Sequence, residues 1–337
     1  MRILHLALAF HPNIGGLEAA ARQLSHHWAA RGHEVCVLTR TALGNVAELD
    51  EGYRVRRDLG PGAFVEELRR CEIFVQSGFS LRWVAGALLR PRRSFAILQT
   101  YLGGEGVHAS DTLGALKRAA TRLVHSIAVS RSVVNSARGS CSVIPNPFRI
   151  EAPAATTVAR QGVLIVARLV SDKGVDLALE ALARSHARGA PWPLIVVGHG
   201  PERERLDRTT DRLGLRPWVS FRGALVGTAL ADAYRAADVV LVPSRIEPFG
   251  IVVLEALAHG CRLIVSDAGG LPEALGGLGR VIARGDVEAI ADVIEAELAT
   301  PTRPADDAVR AHLERHSVAA IGDRYLELFA GALGRSA

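Results

Sequence analysis

Short apolar runs of strand length alternate with longer stretches of helical periodicity along the whole chain. That alternation admits few folds other than a parallel sheet with crossover helices. It runs through twice. RILHLALAF, EVCVLTR, CEIFVQS, SFAILQT and SIAVS are the strand-like runs of a first series, and GVLIVARL, PLIVVGHG, WVSFRG, VVLVPS and CRLIVSD those of a second. Between them stands SVIPNPFRIEAP, residues 142–153, with three prolines in twelve residues. Proline restricts its own backbone and that of the residue before it, so this segment reads as a connector. At 337 residues the chain is about twice the usual domain size. The expected architecture is therefore α/β: two Rossmann-like domains, 1–147 and 148–316, facing across an interdomain cleft. Val318, Ile321, Tyr325, Leu328 and Phe329 then mark a last helix within 317–337. Residues 40–70 carry no clear pattern.

Composition narrows the function classes. Aromatic residues are 5% of the chain, too few for a stacking platform on single-stranded nucleic acid, and no nucleic-acid partner is expected. Forty Lys and Arg against 35 Asp and Glu give +5, a mild basic excess that suits an anionic ligand or an anionic membrane surface. Arg90, Arg92, Arg93, Lys117, Arg118 and Arg122 concentrate that charge in the first half, where an ordinary solvated face is the plain alternative. Cys36, Cys71, Cys141 and Cys261 form no CxxC pair, which fits reduced thiols and a cytoplasmic setting. No apolar run reaches the roughly 18 residues of a membrane span. The opening MRILHLALAF lacks an A-x-A cleavage site and ends at His11-Pro12, so it reads as a buried first strand. The expected location is cytoplasmic, at most attached to the inner face of the membrane.

Parallel sheets bind ligands beyond the carboxyl ends of their strands, and the chemically suggestive loops lie there. Gly15-Gly16 follows the first strand and opens a helix, where backbone N–H groups suit a phosphate; a tight turn is the alternative. Arg168 and Lys173 follow the first strand of the second series, and two cations there can neutralise a diphosphate. Lys173 is one of only two lysines in the chain. RIEPFGIVVLEALAHG places Glu247 in a loop and Glu255 inside an otherwise apolar helix, where a carboxylate needs donors: ligand hydroxyls, a cap or an arginine. Gly250 leaves backbone N–H groups free at that helix start. Gly198-His199-Gly200-Pro201 and Ala268–Glu273 are further glycine-rich strand ends, and Gly103–Gly106 a flexible one with the makings of a lid. The twelve histidines form neither HxH nor HExxH, and DxD, GxSxG, GxxxxGK[ST] and GxGxxG are all missing. A protein-held catalytic metal, a hydrolase elbow, a P-loop and a nicotinamide fingerprint are thus not expected.

PSRIEPFGIVVLEALAHG, together with GVLIVARLVSDKG, LIVVGHGPERERL, VSFRG and an N-terminal GGLE, resembles the retaining GT-B glycosyltransferases of glycosyltransferase family 4. The resemblance covers the second domain and the start and hinge of the first. It implies a metal-independent transferase that needs no cofactor and moves a hexose-type sugar from a UDP- or GDP-sugar with retention. Gly15 and Gly16 would meet the donor diphosphate, while Arg168 and Lys173 would hold its oxygens. Glu247 would contact the donor sugar, with Phe249, Gly250 and Ile251 lining sugar and phosphate. Glu255 would hold the ribose, and Gly198, Phe221, Arg222 and Gly223 would lie near the nucleotide. The first domain would take the acceptor, and the last helix would pack back on it. Where such enzymes carry a histidine after a first-domain strand, this chain has Gln99, Thr100 and Tyr101, with His108 further on. Those four are the acceptor-side candidates. The acceptor is expected to be a bacterial saccharide or a lipid-linked one, or else a small soluble metabolite. A GT-B sugar-nucleotide epimerase and a nucleotide-binding homologue without turnover are the rival readings.

Overall fold

The computed structural model describes residues 1–13, 15–44, 50–89, 93–102, 112–149 and 160–335. His108, Arg90, Arg92 and the loop Gly103–Gly106 lie outside the described residues. The chain divides into two compact units, Met1–Arg149 with Arg315–Ala337, and Ile150–Glu314.

The first unit is built on a parallel sheet of seven strands: β1 (Arg2–Ala7), β2 (Glu34–Leu38), β3 (Arg54–Arg56), β4 (Ile73–Ser77), β5 (Ser94–Leu98), β6 (His125–Ala128) and β7 (Cys141–Val143). Their order is β3-β2-β1-β4-β5-β6-β7, so the winding direction reverses between β1 and β4. Central β1 is covered on both faces, which is why it is apolar apart from Arg2 at its start and His5: Ile3, Leu4, Leu6 and Ala7 are all buried. Helix Gly16–Ala30 buries Ala20, Ala21, Leu24 and Trp28. Helix Val318–Ala332, capped by Ser317 Oγ accepting from Ala320 N, packs on it. Trp28 lies 5.8 Å from Tyr325 and 5.4 Å from Phe329, and Phe329 reaches Phe95 of β5 at 4.8 Å. His27 Nε2 meets Asp323 Oδ1 at 2.8 Å, and Arg31 pairs with the same carboxylate.

The patternless stretch 40–70 is structured in part. It contributes β3 and helix Pro61–Arg70. Edge strand β3 spells Arg-Val-Arg, and its arginines are satisfied by Glu67 of that helix at 2.7 and 2.9 Å, Glu67 being buried. Charge pairing instead of an apolar run hides both elements from a hydrophobic pattern. The connector also begins later than its prolines suggest, because Ser142 and Val143 belong to β7.

The second unit carries a six-stranded parallel sheet: β8 (Val163–Val166), β9 (Leu194–Val197), β10 (Val219–Gly223), β11 (Val239–Val242), β12 (Arg262–Ser266) and β13 (Arg280–Ile282). The order β10-β9-β8-β11-β12-β13 is that of the Rossmann fold, with its switch point between β8 and β11. One apolar core joins Ile165, Val196 and Leu241 of the strands to Leu179 and Leu182 of helix Val175–Ala187 and Ile290 and Ile294 of helix Val287–Ala299. The sequence pattern gave no element between 277 and 316. The structure has β13, helix Val287–Ala299 capped by Asp286 Oδ1, and helix Asp306–Arg315 there. Among the described residues, no helix is long and apolar enough to cross a membrane.

Candidate functional site

In a parallel sheet every strand ends at the same edge, so the loops after β8, β9, β10 and β11 share one end of the second unit. After β8 come exposed Arg168 and a turn, Ser171–Lys173, closed by Gly174 at φ +65°. A side chain at Gly174 would collide with the Pro243 carbonyl, so this turn lies hard against the loop after β11. Arg245 fastens the two loops. Its backbone N–H donates to Asp172 O at 2.7 Å, and its guanidinium forks onto Asp176 at 2.8 and 2.9 Å. Burial pushes the Asp176 carboxyl up, but Arg245 outweighs it and holds the group below its usual range.

Across the switch point, Lys173 Nζ donates to Glu247 Oε2 at 2.6 Å. Their side chains are 18% and 12% exposed, so the pair is mostly shielded and still reachable. Glu247 is held through its backbone, with Gly270 N donating to its carbonyl at 2.9 Å. Phe249 is buried, and Gly250, at φ +95° and ψ +65°, starts helix Ile251–Ala258. A Cβ at Gly250 would come within 2.5 Å of Leu271 Cδ2. No side chain caps this helix. Its first N–H groups and the positive end of its dipole make the loop electropositive beside Lys173.

Glu255 stands one turn further along, half-buried, and finds a donor that the sequence did not suggest: Tyr234 Oη donates to Oε2 at 2.6 Å. Burial, with the neighbouring carboxylate, raises the Tyr234 hydroxyl well above its usual value. Tyr234 also stacks on His259 at 5.2 Å, and His259 Nδ1 lies 2.8 Å from Glu255 O. At the other side of the edge, Gly198 N donates to Gly223 O at 2.7 Å. Phe221 lies under the Arg203 guanidinium, 4.5 Å from ring centroid to Cζ, and Arg222 is exposed. Arg168, Lys173, Gly198, Phe221, Arg222, Gly223, Glu247, Phe249, Gly250 and Ile251 thus all fall at one edge of one sheet.

In the first unit, Gly15 and Gly16 lie exposed at the start of an uncapped helix. A cavity of about 270 Å³ opens at the β1/β4 switch point, walled by Leu8, Leu17, Ser77, Phe79, Lys117 and the run Gln99, Thr100 and Tyr101 after β5. Tyr101 Oη shares a hydrogen bond with Ser132 Oγ at 2.9 Å.

His5 lies beneath this cavity. It is fully buried, and burial pulls its pKa down to about 3, so the ring is neutral. Ser25 Oγ donates to Ala21 O at 2.9 Å, so it accepts from His5 Nδ1–H at 2.8 Å. Nε2 is then bare and accepts from the Ser77 hydroxyl at 2.7 Å. Ser77 therefore turns lone pairs, not its proton, toward the cavity. The sequence signal was the one polar residue inside the otherwise apolar stretch Ile3–Ala7 of the first strand. Among the described residues, no three His, Cys, Asp or Glu side chains converge as metal ligands would.

Residues 155–311 match the family model described as glycosyl transferases group 1. An uncharacterized glycosyltransferase of Methanocaldococcus jannaschii is 40% identical over 111 residues, covering 33% of this chain and 28% of that protein. A D-inositol 3-phosphate glycosyltransferase of Rhodococcus erythropolis is 36% identical over 179 residues, 50% of this chain and 40% of that protein. The chain thus spans less than half the length of these two relatives. Among solved structures, Anabaena HepE in complex with UDP superposes with a TM-score of 0.82 at 22% identity, covering 98% of this chain and all of that one. The likeness shows that the fold is shared.

Proposed function

We propose that the chain, whose residues 155–311 match the group 1 glycosyl transferase family, transfers a hexose-type sugar from a nucleotide-diphospho-sugar to an acceptor hydroxyl. The observation that carries the reading is the Lys173–Glu247 contact of 2.6 Å at the switch point, beside Arg168 and the uncapped helix start at Gly250. A diphosphate and a polyhydroxyl sugar are the ligand this combination fits: cations and N–H groups for one, a carboxylate acceptor for the other.

Arg168 and Lys173 bind the diphosphate oxygens and offset the charge that grows as the leaving group departs. Lys173 trades part of its hold on Glu247 for the phosphate. Glu247 then accepts from donor-sugar hydroxyls. Gly15 and Gly16 present N–H groups to the diphosphate. Phe249, Gly250 and Ile251 line sugar and phosphate, and Glu255, set by Tyr234, takes the ribose hydroxyls. Gly198 and Phe221–Leu225 adjoin the base. The acceptor lies against Gln99, Thr100 and Tyr101, with His108 as a further candidate. Its hydroxyl oxygen attacks the anomeric carbon from the face the diphosphate leaves, and its proton passes to the departing phosphate oxygen. The new bond keeps the anomeric configuration. Protein cations supply the charge, so no metal or cofactor is required. A UDP-sugar is favoured as donor by the UDP held in HepE, with a GDP-sugar next. The acceptor is assigned to the growing saccharides and glycolipids of a bacterial cell, handled at the cytoplasmic side.

The test is a calorimetric titration of UDP, GDP and ADP in EDTA, repeated with Lys173→Ala. Tight binding of one nucleotide that the variant loses supports the site and identifies the base. Binding of none overturns the reading. Release of an altered nucleotide sugar without any acceptor would favour an epimerase instead.

A further inference from the structure

A histidine inside a buried parallel strand needs a reason, because burial strips its ring of water and leaves two nitrogens to satisfy. His5 is 0% exposed, and protein groups satisfy both: Ser25 Oγ at 2.8 Å and Ser77 Oγ at 2.7 Å. Strand register explains the reach. His5 stands opposite Val75 in the β1–β4 ladder, and Ser77, two residues on, ends β4 at the wall of the first-unit cavity. The proton order in this chain is forced from the helix outward. Ser25 spends its hydrogen on Ala21 O, so it accepts from Nδ1–H. The ring, neutral through burial, carries one hydrogen, so Nε2 takes the Ser77 hydrogen. A serine in a cavity wall ordinarily turns its hydroxyl to suit the ligand. Ser77 has lost that freedom and offers lone pairs alone.

The rest of the wall narrows what can meet those lone pairs. Gln99 is 6% exposed and lines the same cavity, and among the described residues its side-chain amide has no hydrogen-bond partner. A buried amide in that condition is satisfied by a ligand that both donates and accepts. Lys117 lines the cavity too and pairs with no carboxylate among the described residues. Its charge repels an ammonium, which would otherwise suit Ser77. An ether or ketone suits Lys117 but brings Ser77 no hydrogen. A hydroxyl answers all three, giving its hydrogen to Ser77 while its oxygen accepts from Gln99 or Lys117. Leu8, Leu17 and Phe79 complete the wall with apolar surface for the C–H face of a ring. At about 270 Å³ the cavity lies just below the range of about 300–1,000 Å³ usual for small-molecule sites, which is room for one ring.

We propose that Ser77, turned by His5, is the specificity-determining residue of this cavity and accepts a hydrogen bond from one hydroxyl of a ring polyol. His5 is then a positioning residue that reaches the ligand only through Ser77. That the cavity binds such a ring follows from its own geometry. That the ring belongs to the sugar acceptor rests on the transferase reading.

Ligand-observed NMR titration of the full chain tests this. The probes are methyl glucoside and inositol as ring polyols, dioxane as a ring that only accepts, and cyclohexylamine as one that donates from a cation. The wild type should bind both polyols at least tenfold more tightly than dioxane or the amine. Binding should also move the His5 Nε2 nitrogen resonance, because a hydrogen bond accepted by Ser77 strengthens the one it donates. Ser77→Ala should weaken the polyols about three- to tenfold, the value of one neutral hydrogen bond. His5→Leu is the sharper variant. It returns the hydroxyl hydrogen to Ser77, so dioxane binding should rise and the preference for polyols shrink, an effect that lost packing does not produce. Circular dichroism reports whether each variant is folded; where one is not, the wild-type preference and the His5 resonance still decide. The proposal is overturned if neither polyol binds, if dioxane or the amine binds as well as they do, or if the His5 resonance stays put at saturation. It is also overturned if folded Ser77→Ala keeps wild-type polyol affinity or folded His5→Leu keeps the wild-type preference. UDP titration of the wild type judges the transferase reading separately. Nucleotide binding without polyol binding sinks this proposal alone, whereas polyol binding without nucleotide binding leaves it standing and sinks the transfer reading.

Discussion

Replacing Gly198 by alanine should destabilise the second unit by about 3–5 kcal/mol, from two separable causes. Gly198 follows β9 at φ +138°, a conformation that costs a residue with a Cβ roughly 1–2 kcal/mol. Its Cβ would also lie 2.9 Å from the Ala167 carbonyl carbon and closer still to the oxygen, where ordinary contact begins at 3.4 Å. The colliding atoms are backbone, locked by Ala167 N donating to Val197 O at 3.0 Å and Gly198 N donating to Gly223 O at 2.7 Å. No side chain can swing aside, so the ends of β8 and β9 must part, which adds about 2–3 kcal/mol. Gly214→Ala is the control. Its φ is +68° with nothing within 4 Å of the added carbon, so it should cost only about 1 kcal/mol. Scanning calorimetry should show the transition of the second unit falling by roughly 6–20 °C for Gly198→Ala and about 2–4 °C for Gly214→Ala. UDP affinity should fall in the first variant and hold in the second. If Gly198→Ala melts no lower than Gly214→Ala, backbone collision is not what restricts position 198.

Lys173→Ala should weaken nucleotide binding about ten- to a hundredfold, the value of one charge-assisted hydrogen bond, with the chain still folded. Wild-type affinity in titration calorimetry would remove Lys173 from the site. His5, held at about 3, makes the first unit lose stability as pH falls from about 6.5 toward 3, because the unfolded chain takes up a proton that the buried ring refuses. The slope is about 1.4 kcal/mol per pH unit. Nitrogen NMR at pH 5 should still show this ring neutral with its proton on Nδ1, and titration near 6.5 would contradict the Ser25–His5–Ser77 chain. Ser77→Ala should cost about 1–3 kcal/mol by leaving buried Nε2 without its donor, read as a lower melting temperature. Sugar transfer should persist in EDTA, and activity restored only by added divalent metal would contradict a mechanism run on Arg168 and Lys173.

Apolar periodicity read from the sequence alone shows most of the strands, because a parallel strand buried on both faces must be largely apolar: Val239–Val242 is an example, and Ile3–Ala7 departs from it only at His5. It also separates Glu247 in its loop from Glu255 in its helix, since a Gly at 250 breaks one and starts the other. It fails where charge does the work of apolar contact, as at β3 with Glu67, and in the polar helix Asp306–Arg315 that precedes the last one. Local pattern thus determined that the chain is two parallel α/β units with ligand-type loops at the strand ends. Which of those loops meet was decided by strand order. Lys173 and Glu247 are 74 residues apart, and they touch because β11 lies beside β8. Tyr234 reaches Glu255, Ser77 reaches His5, and Phe329 returns to Phe95 for the same reason. Spacing along the chain governs only near neighbours. A hydrogen bond between distant residues is set by which strands pair, and that choice is made by the packing of the whole unit.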